Sequence, residues 1–164
     1  MNPERVSPTF DTVAILERLH ELFPEASVWP TDPLARARAR SLVADFHAGY
    51  PHLRGALPMN IRSSHPGKGM SPEVAGEIGK LCAGWHDTRA RFGAGGPFLF
   101  GDFCAVDAYF TPVASRFVTY AVALDEDVRN YRDALLGTRA MRAWTEAALL
   151  ETEFVPMDEP YATA

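Results

Sequence analysis

Lysine is nearly missing from this chain: Lys68 and Lys80 are the only two among 164 residues, against 14 arginines. A surplus of positive charge is missing as well, because 16 basic residues meet 21 acidic ones and leave a formal charge of −5. That balance gives no general attraction to nucleic acid or to an anionic membrane surface, so neither is expected as a partner. The arginines do not restore one. At helical spacing Arg36 and Arg40 share a face while Arg38 points elsewhere, which predicts a solvated surface rather than a phosphate-binding stripe. Thiols are scarce too: Cys82 and Cys104 form no CxxC pair and no His/Cys cluster at ligand spacing, which argues against a metal site and predicts two buried thiols. No apolar run is long enough to cross a bilayer. Met1 to Phe10 is polar, with Pro3 and Pro8, and lacks the basic region and apolar core of a signal peptide, so a cytoplasmic location is the expectation. Period-two alternation, internal repeats and low-complexity blocks are also missing.

What the sequence does have is a 47% hydrophobic composition, enough at this length for one domain with its own core. Pro and Gly clusters separate segments whose apolar residues recur at three and four, which predicts an all-α bundle of about six helices. The first runs over Thr12 to Leu22 behind a cap at Asp11 or Thr12, with Val13, Ile15, Leu16 and Leu19 spread wider than one contact stripe. Asp32-Pro33 opens the second, whose periodicity continues to Leu57 although Pro51 must kink or split it. Ser71-Pro72 opens the third, with Val74, Ile78, Leu81, Trp85, Thr88 and Phe92 on one face. Its second stripe, Gly76, Gly79 and Ala83, predicts close approach of another helix backbone. A fourth, Ala105 to Ala123, is apolar nearly all round and reads as the buried central helix. Asp107 stands three residues after Cys104, the spacing of a capping box. Two shorter helices, about Asp127 to Leu136 and Thr138 to Glu151, carry Met141, Trp144 and Ala148, and a polar tail comes after them.

Four segments in order bring out a family resemblance. Asp11-Thr12-Val13-Ala14-Ile15-Leu16-Glu17-Arg18-Leu19 is similar to the acid-Ser-x-Ala-Ile-x-x-Tyr-Leu segment of bacterial glutathione S-transferases, which opens the last helix of their thioredoxin-like domain. Trp29-Pro30-Thr31-Asp32-Pro33 resembles their interdomain linker, and Phe98-Leu99-Phe100-Gly101 with Cys104-Ala105-Val106-Asp107 resembles the connector and capping box of their central helix. The ending, Glu151-Thr152-Glu153 to Asp158-Glu159-Pro160-Tyr161, resembles that of a bacterial subgroup. The resemblance implies a helical domain over 24–164 preceded, over 1–23, by a remnant of the thioredoxin-like domain.

The same resemblance implies that most of the glutathione site is missing, since the thiol-activating residue and the cis-proline loop have no counterpart here. Asp11-Thr12 stands where the family's acid-Ser pair holds the γ-glutamyl end of glutathione, and Thr keeps the hydroxyl. No cofactor is expected; glutathione would bind only if the missing half were supplied in trans. Among single residues, His47 and His52 are candidate bases, and Tyr50, Arg54, Tyr109 and Arg116 could line the polar end of an apolar pocket. Asp107 reads as a structural cap, with Cys104 where the family places Ser or Thr. The expected function is binding of an apolar small molecule in the helical pocket without independent glutathione conjugation. The alternatives are repurposed isomerase or lyase chemistry, an assembly module, or half of a transferase completed by a partner chain. The apolar first helix, without its sheet, predicts a homo-oligomer or a covering partner.

Overall fold

The computed structural model of the chain describes residues 9–161; the amino-terminal stretch up to Pro8 and residues 162–164 lie outside the described residues. Seven α-helices account for 64% of the chain, and no strand forms among the described residues. They are α1 (Thr12–Leu22), α2 (Pro33–Ala48), α3 (Pro51–Ala56), α4 (Pro72–Phe92), α5 (Ala105–Thr119), α6 (Glu126–Leu136) and α7 (Arg139–Leu150), with single 3₁₀ turns at Pro24–Ala26 and Pro156–Asp158.

Local chemistry fixes the helix starts. Asp32 Oδ1 accepts from Ala35 N at 2.8 Å ahead of Pro33, and Ser71 Oγ accepts from Val74 N at 3.3 Å ahead of Pro72. These caps satisfy donors that a helix cannot pair internally. The count is seven rather than about six because the long second segment splits. Tyr50 adopts φ 62° and ψ 42°, a left-handed conformation that ends α2, and Pro51 begins α3 in a new direction. α5 stops at Thr119 rather than Ala123: Ala121 takes φ 51°, Val122 N donates to Phe117 O and Ala121 N donates to Val118 O. Those two bonds form a Schellman stop. It carries Ala where Gly is usual, so the apolar periodicity gave no warning of it.

α5 lies at the centre, with Val106, Phe110, Val113 and Phe117 fully buried between α2 and α6. α4 contributes Val74, Ile78, Leu81, Trp85 and Thr88. The ring of Trp85 stands 4.9 Å from Tyr131 and 5.2 Å from Phe110, edge to face, so three helices meet at one aromatic knot. α6 is tied to α4 at its amino end, where His86 faces Asp125 at 2.9 Å and Asp127 at 3.1 Å. The hydrogen bond to Asp125 raises the pKa of His86 above its ordinary value. A raised folded-state value means that the stabilisation is fully present below the ordinary histidine range and fades as pH climbs through the raised value. Thermal melts across neutral pH should therefore lose part of their pH dependence in His86→Ala; because the pair is exposed, the change is small.

Four expectations need correction. A Cβ added at Gly76 or Gly79 would meet nothing within 4 Å, so this stripe admits no neighbouring backbone; it faces open space. Arg36, Arg38 and Arg40 are not a free solvated face either: Arg36 holds the carbonyl of Thr31 at 2.8 Å, Arg38 holds Thr88 Oγ1 at 3.0 Å, and Arg40 grips the Glu17 carboxylate at 2.7 and 2.6 Å. They tether three different elements to α2. Cys104 is buried, but Cys82 is only half-buried. Burial pushes the two thiols up, to about 12 and about 11, so neither is a thiolate near neutrality. Trp144, apolar by pattern, is exposed on α7.

α1 is held to the bundle by its polar contacts and by Val13 and Leu16, which pack on the core. Its other face, with Ile15, Leu19, Leu22 and Phe23, is exposed. The tail is anchored: Tyr161 Oη donates to Ala56 O at 2.8 Å, and Asn60 Nδ2 donates to Glu159 Oε2 at 3.0 Å.

Candidate functional site

Three helices bring together residues far apart in sequence at the amino end of α1. Asp11 caps α1 through Oδ1, which accepts from Val13 N at 2.8 Å, leaving Oδ2 to face His47 Nε2 at 3.0 Å. Asp11 holds this pose at φ 78° and ψ 135°, backbone territory that favours glycine and costs other residues about 1–3 kcal/mol. His47 lies in the last turn of α2, and Arg54 Nη1 donates to its carbonyl at 3.1 Å, closing the helix end that Tyr50 interrupts. From α5, Tyr109 Oη lies 3.0 Å from His47 Nδ1 and 3.4 Å from Thr12 Oγ1. The Tyr109 ring is set edge-on against Phe46 and Phe110, with centroids at 6.2 and 6.4 Å.

His47 Nε2 meets the Asp11 carboxylate at 3.0 Å as a charge contact without hydrogen-bond geometry, while Nδ1 is hydrogen-bonded to Tyr109 Oη; where Nδ1 carries no proton, the phenol is the donor in that bond. The result is a line from phenol to imidazole to carboxylate. Thr12, next to Asp11, has its hydroxyl within reach of the same phenol.

The other candidates lie apart from this line. Tyr50 is buried and donates to Asp45 Oδ2 at 2.9 Å, and Lys80 bonds the other oxygen of that carboxylate at 2.8 Å. Burial, with the bond to Asp45, pushes the Tyr50 phenol well up, while the Lys80 ammonium holds Asp45 below the usual carboxylate range. His52 is exposed on α3, where its backbone N–H donates to Glu77 Oε1 at 3.4 Å and that of Leu53 to Oε2 at 2.7 Å. Arg116 Nη1 donates to the carbonyls of Leu57 at 2.8 Å and Arg54 at 3.3 Å, so it closes the end of α3 rather than a pocket. Asp107 is fully buried. Its Oδ2 accepts from Cys104 N at 2.9 Å; its Oδ1 accepts from Tyr131 Oη at 2.9 Å and Leu99 N at 3.2 Å. Burial raises its pKa against the pull of those donors.

Cavities open elsewhere. One of about 420 Å³ lies between α5, α7 and the loop after α3, with Ile61, Val118, Leu136 and Met141 on its apolar side and Ser63, Ser115 and Arg142 on its polar side. A second, of about 450 Å³, lies under the tail between Trp144 and Val155, rimmed by Glu151, Glu153, Asp158 and Glu159. Neither is lined by His47, Tyr50, His52, Arg54, Tyr109 or Arg116. Ser115, Met141 and Arg142 carry no motif, and only the placing of α7 across the cavity from α5 brings them together. Among the described residues, no group of His, Cys, Asp and Glu could hold a metal ion. No helix of the described residues is long and apolar enough to cross a membrane.

In comparisons with known proteins, no family model and no curated protein matches the chain.

Proposed function

We infer that the protein is a glutathione-transferase-like helical protein that binds an apolar small molecule and does not conjugate glutathione by itself. The observation that carries this reading is the fate of Asp11 and Thr12. The resemblance makes this pair the contact for the γ-glutamyl end of glutathione, yet the Asp11 carboxylate is engaged by His47 at 3.0 Å and by its own helix cap. A γ-glutamyl ammonium would have to compete with His47 for this carboxylate.

The ligand's place in this reading is the cavity between α5 and α7. Its volume of about 420 Å³ falls within the range of small-molecule sites, and an apolar floor with a few hydroxyls and one guanidinium is their usual lining. The test is titration with 8-anilinonaphthalene-1-sulfonate, an apolar anionic probe, followed by fluorescence. Val118→Trp, at the mouth of the cavity, should weaken probe binding about tenfold, a loss of about 1.4 kcal/mol, while leaving the melting curve in place. Unchanged binding in that variant would move the ligand out of this cavity.

A second copy of the chain, or a partner chain, covers the outer face of α1 in the same reading. The support is the exposure of Ile15, Leu19 and Leu22 on α1 and of Phe23 at its end. Light scattering of the dilute protein should give more than the monomer mass, and Ile15→Glu with Leu19→Glu should restore it; a monomeric parent chain contradicts this part.

A further inference from the structure

We propose that Tyr109 is a nucleophile for acyl groups, served by His47 as its base and by Asp11 as the residue that positions the imidazole and faces the imidazolium formed on proton transfer. The site lies apart from the α5–α7 cavity and is an activity separate from ligand binding there.

The wiring supports this chemistry. A hydroxyl is a weak nucleophile until its proton has somewhere to go, and a neutral imidazole at hydrogen-bond distance is that acceptor. Tyr109 Oη is hydrogen-bonded to His47 Nδ1 at 3.0 Å, and the opposite ring nitrogen, Nε2, lies 3.0 Å from Asp11 Oδ2, so the nitrogen placed to take the phenolic proton is not the one that faces the carboxylate. The imidazolium formed on proton transfer faces a carboxylate already in place. Two members are positioned by something other than the line itself: Asp11 by its cap to Val13, and Tyr109 by Phe46 and Phe110, while the Arg54 bond holds the backbone carbonyl of His47. The Thr12 hydroxyl, 3.4 Å from Tyr109 Oη, can donate to the oxygen as its charge develops. The groups that face His47 are Asp11 from α1, Arg54 from α3 and Tyr109 from α5. The His47 and Asp11 side chains are 41% and 45% exposed, so a dissolved ester can reach the line.

The substrate class is an activated ester with a small acyl group. Tyr109 Oη attacks the carbonyl carbon; the Oη–C bond forms, the bond to the leaving oxygen breaks, and the phenolic proton passes to His47 Nδ1 and on to the leaving oxygen. Water then attacks the acyl carbon and gives its proton to Nδ1; the Oη–C bond breaks, the carboxylic acid departs, and Nδ1 returns the proton to the Tyr109 oxygen. Nothing is oxidised or reduced, and water is the one co-reactant.

The intact chain is mixed with p-nitrophenyl acetate. Nitrophenolate release is followed across pH, and the acetyl group is located by peptide mass mapping. Acetyl should appear on Tyr109, and Tyr109→Phe should lower release by about 10²-fold, the scale of a positioned base acting on a nucleophile. His47→Asn should lower it similarly and abolish the pH dependence seen in the parent. Asp11→Asn should lower it less and change the shape of the pH profile, which a mere tether of α1 would not do. Asp11→Glu should recover part of the rate. Far-UV circular dichroism identifies any variant that fails to fold, and Tyr109→Phe, which removes one oxygen, guards against that outcome. Release no faster than buffer, acetyl on other residues, or a Tyr109→Phe rate equal to the parent's would each overturn the proposal.

Discussion

Asp107→Ala is expected to lower folding stability by about 3–5 kcal/mol, a large share of what a domain of this size holds. The carboxylate lies in the core and accepts from Cys104 N, Leu99 N and Tyr131 Oη. Truncation leaves all three donors buried without a partner, and an orphaned buried donor costs about 1–3 kcal/mol. Three pieces of structure come loose together: the start of α5, the connector before it and the hydroxyl end of α6's Tyr131. Asp107→Asn keeps the shape and one acceptor, so it should cost less, with urea midpoints as the readout. It should also change the pH response. Burial raises the folded-state pKa, so the stability this group contributes is greatest in acid and declines as pH rises through the raised value. The Asn variant removes that decline.

Trp85→Ala should cost about 3–5 kcal/mol, the range for deleting a large aromatic from a close-packed core. Its ring is fully buried and meets Phe110, Phe117 and Tyr131 at 5.2, 5.9 and 4.9 Å, so three helices line the void left behind. Trp85→Phe should cost about half as much, because it leaves a smaller void and removes an indole N–H that has no acceptor among the described residues. Equal losses in the two variants would contradict the aromatic knot as the point where α4, α5 and α6 are held.

The fold was legible where periodicity and caps agree. Ser71-Pro72 and the Val74 to Phe92 stripe mark α4 without help from the rest of the chain, and Asp32-Pro33 does the same for α2. The misses have physical causes. The end of α5 depends on Ala121 in a conformation that sequence assigns to glycine. Gly76 and Gly79 look like a packing stripe because small residues serve there in many helices, yet nothing packs on them. The candidate site was legible only as single residues. Asp11, Thr12, His47 and Tyr109 could each be named, but their meeting depends on how α1 docks between α2 and α5. No spacing encodes that docking; it comes from Arg40 gripping Glu17 and from Val13 and Leu16 entering the core. The α5–α7 cavity left no signal at all, since its lining is ordinary helix surface until α7 packs.

The most direct measurement of the central claim is a conjugation assay, with glutathione and an electrophilic aryl halide given to the purified chain. The proposed function predicts thioether formation at the rate of the uncatalysed mixture, because the Asp11 and Thr12 side chains that would hold the tripeptide are already engaged by His47 and Tyr109. Turnover above that rate would contradict it.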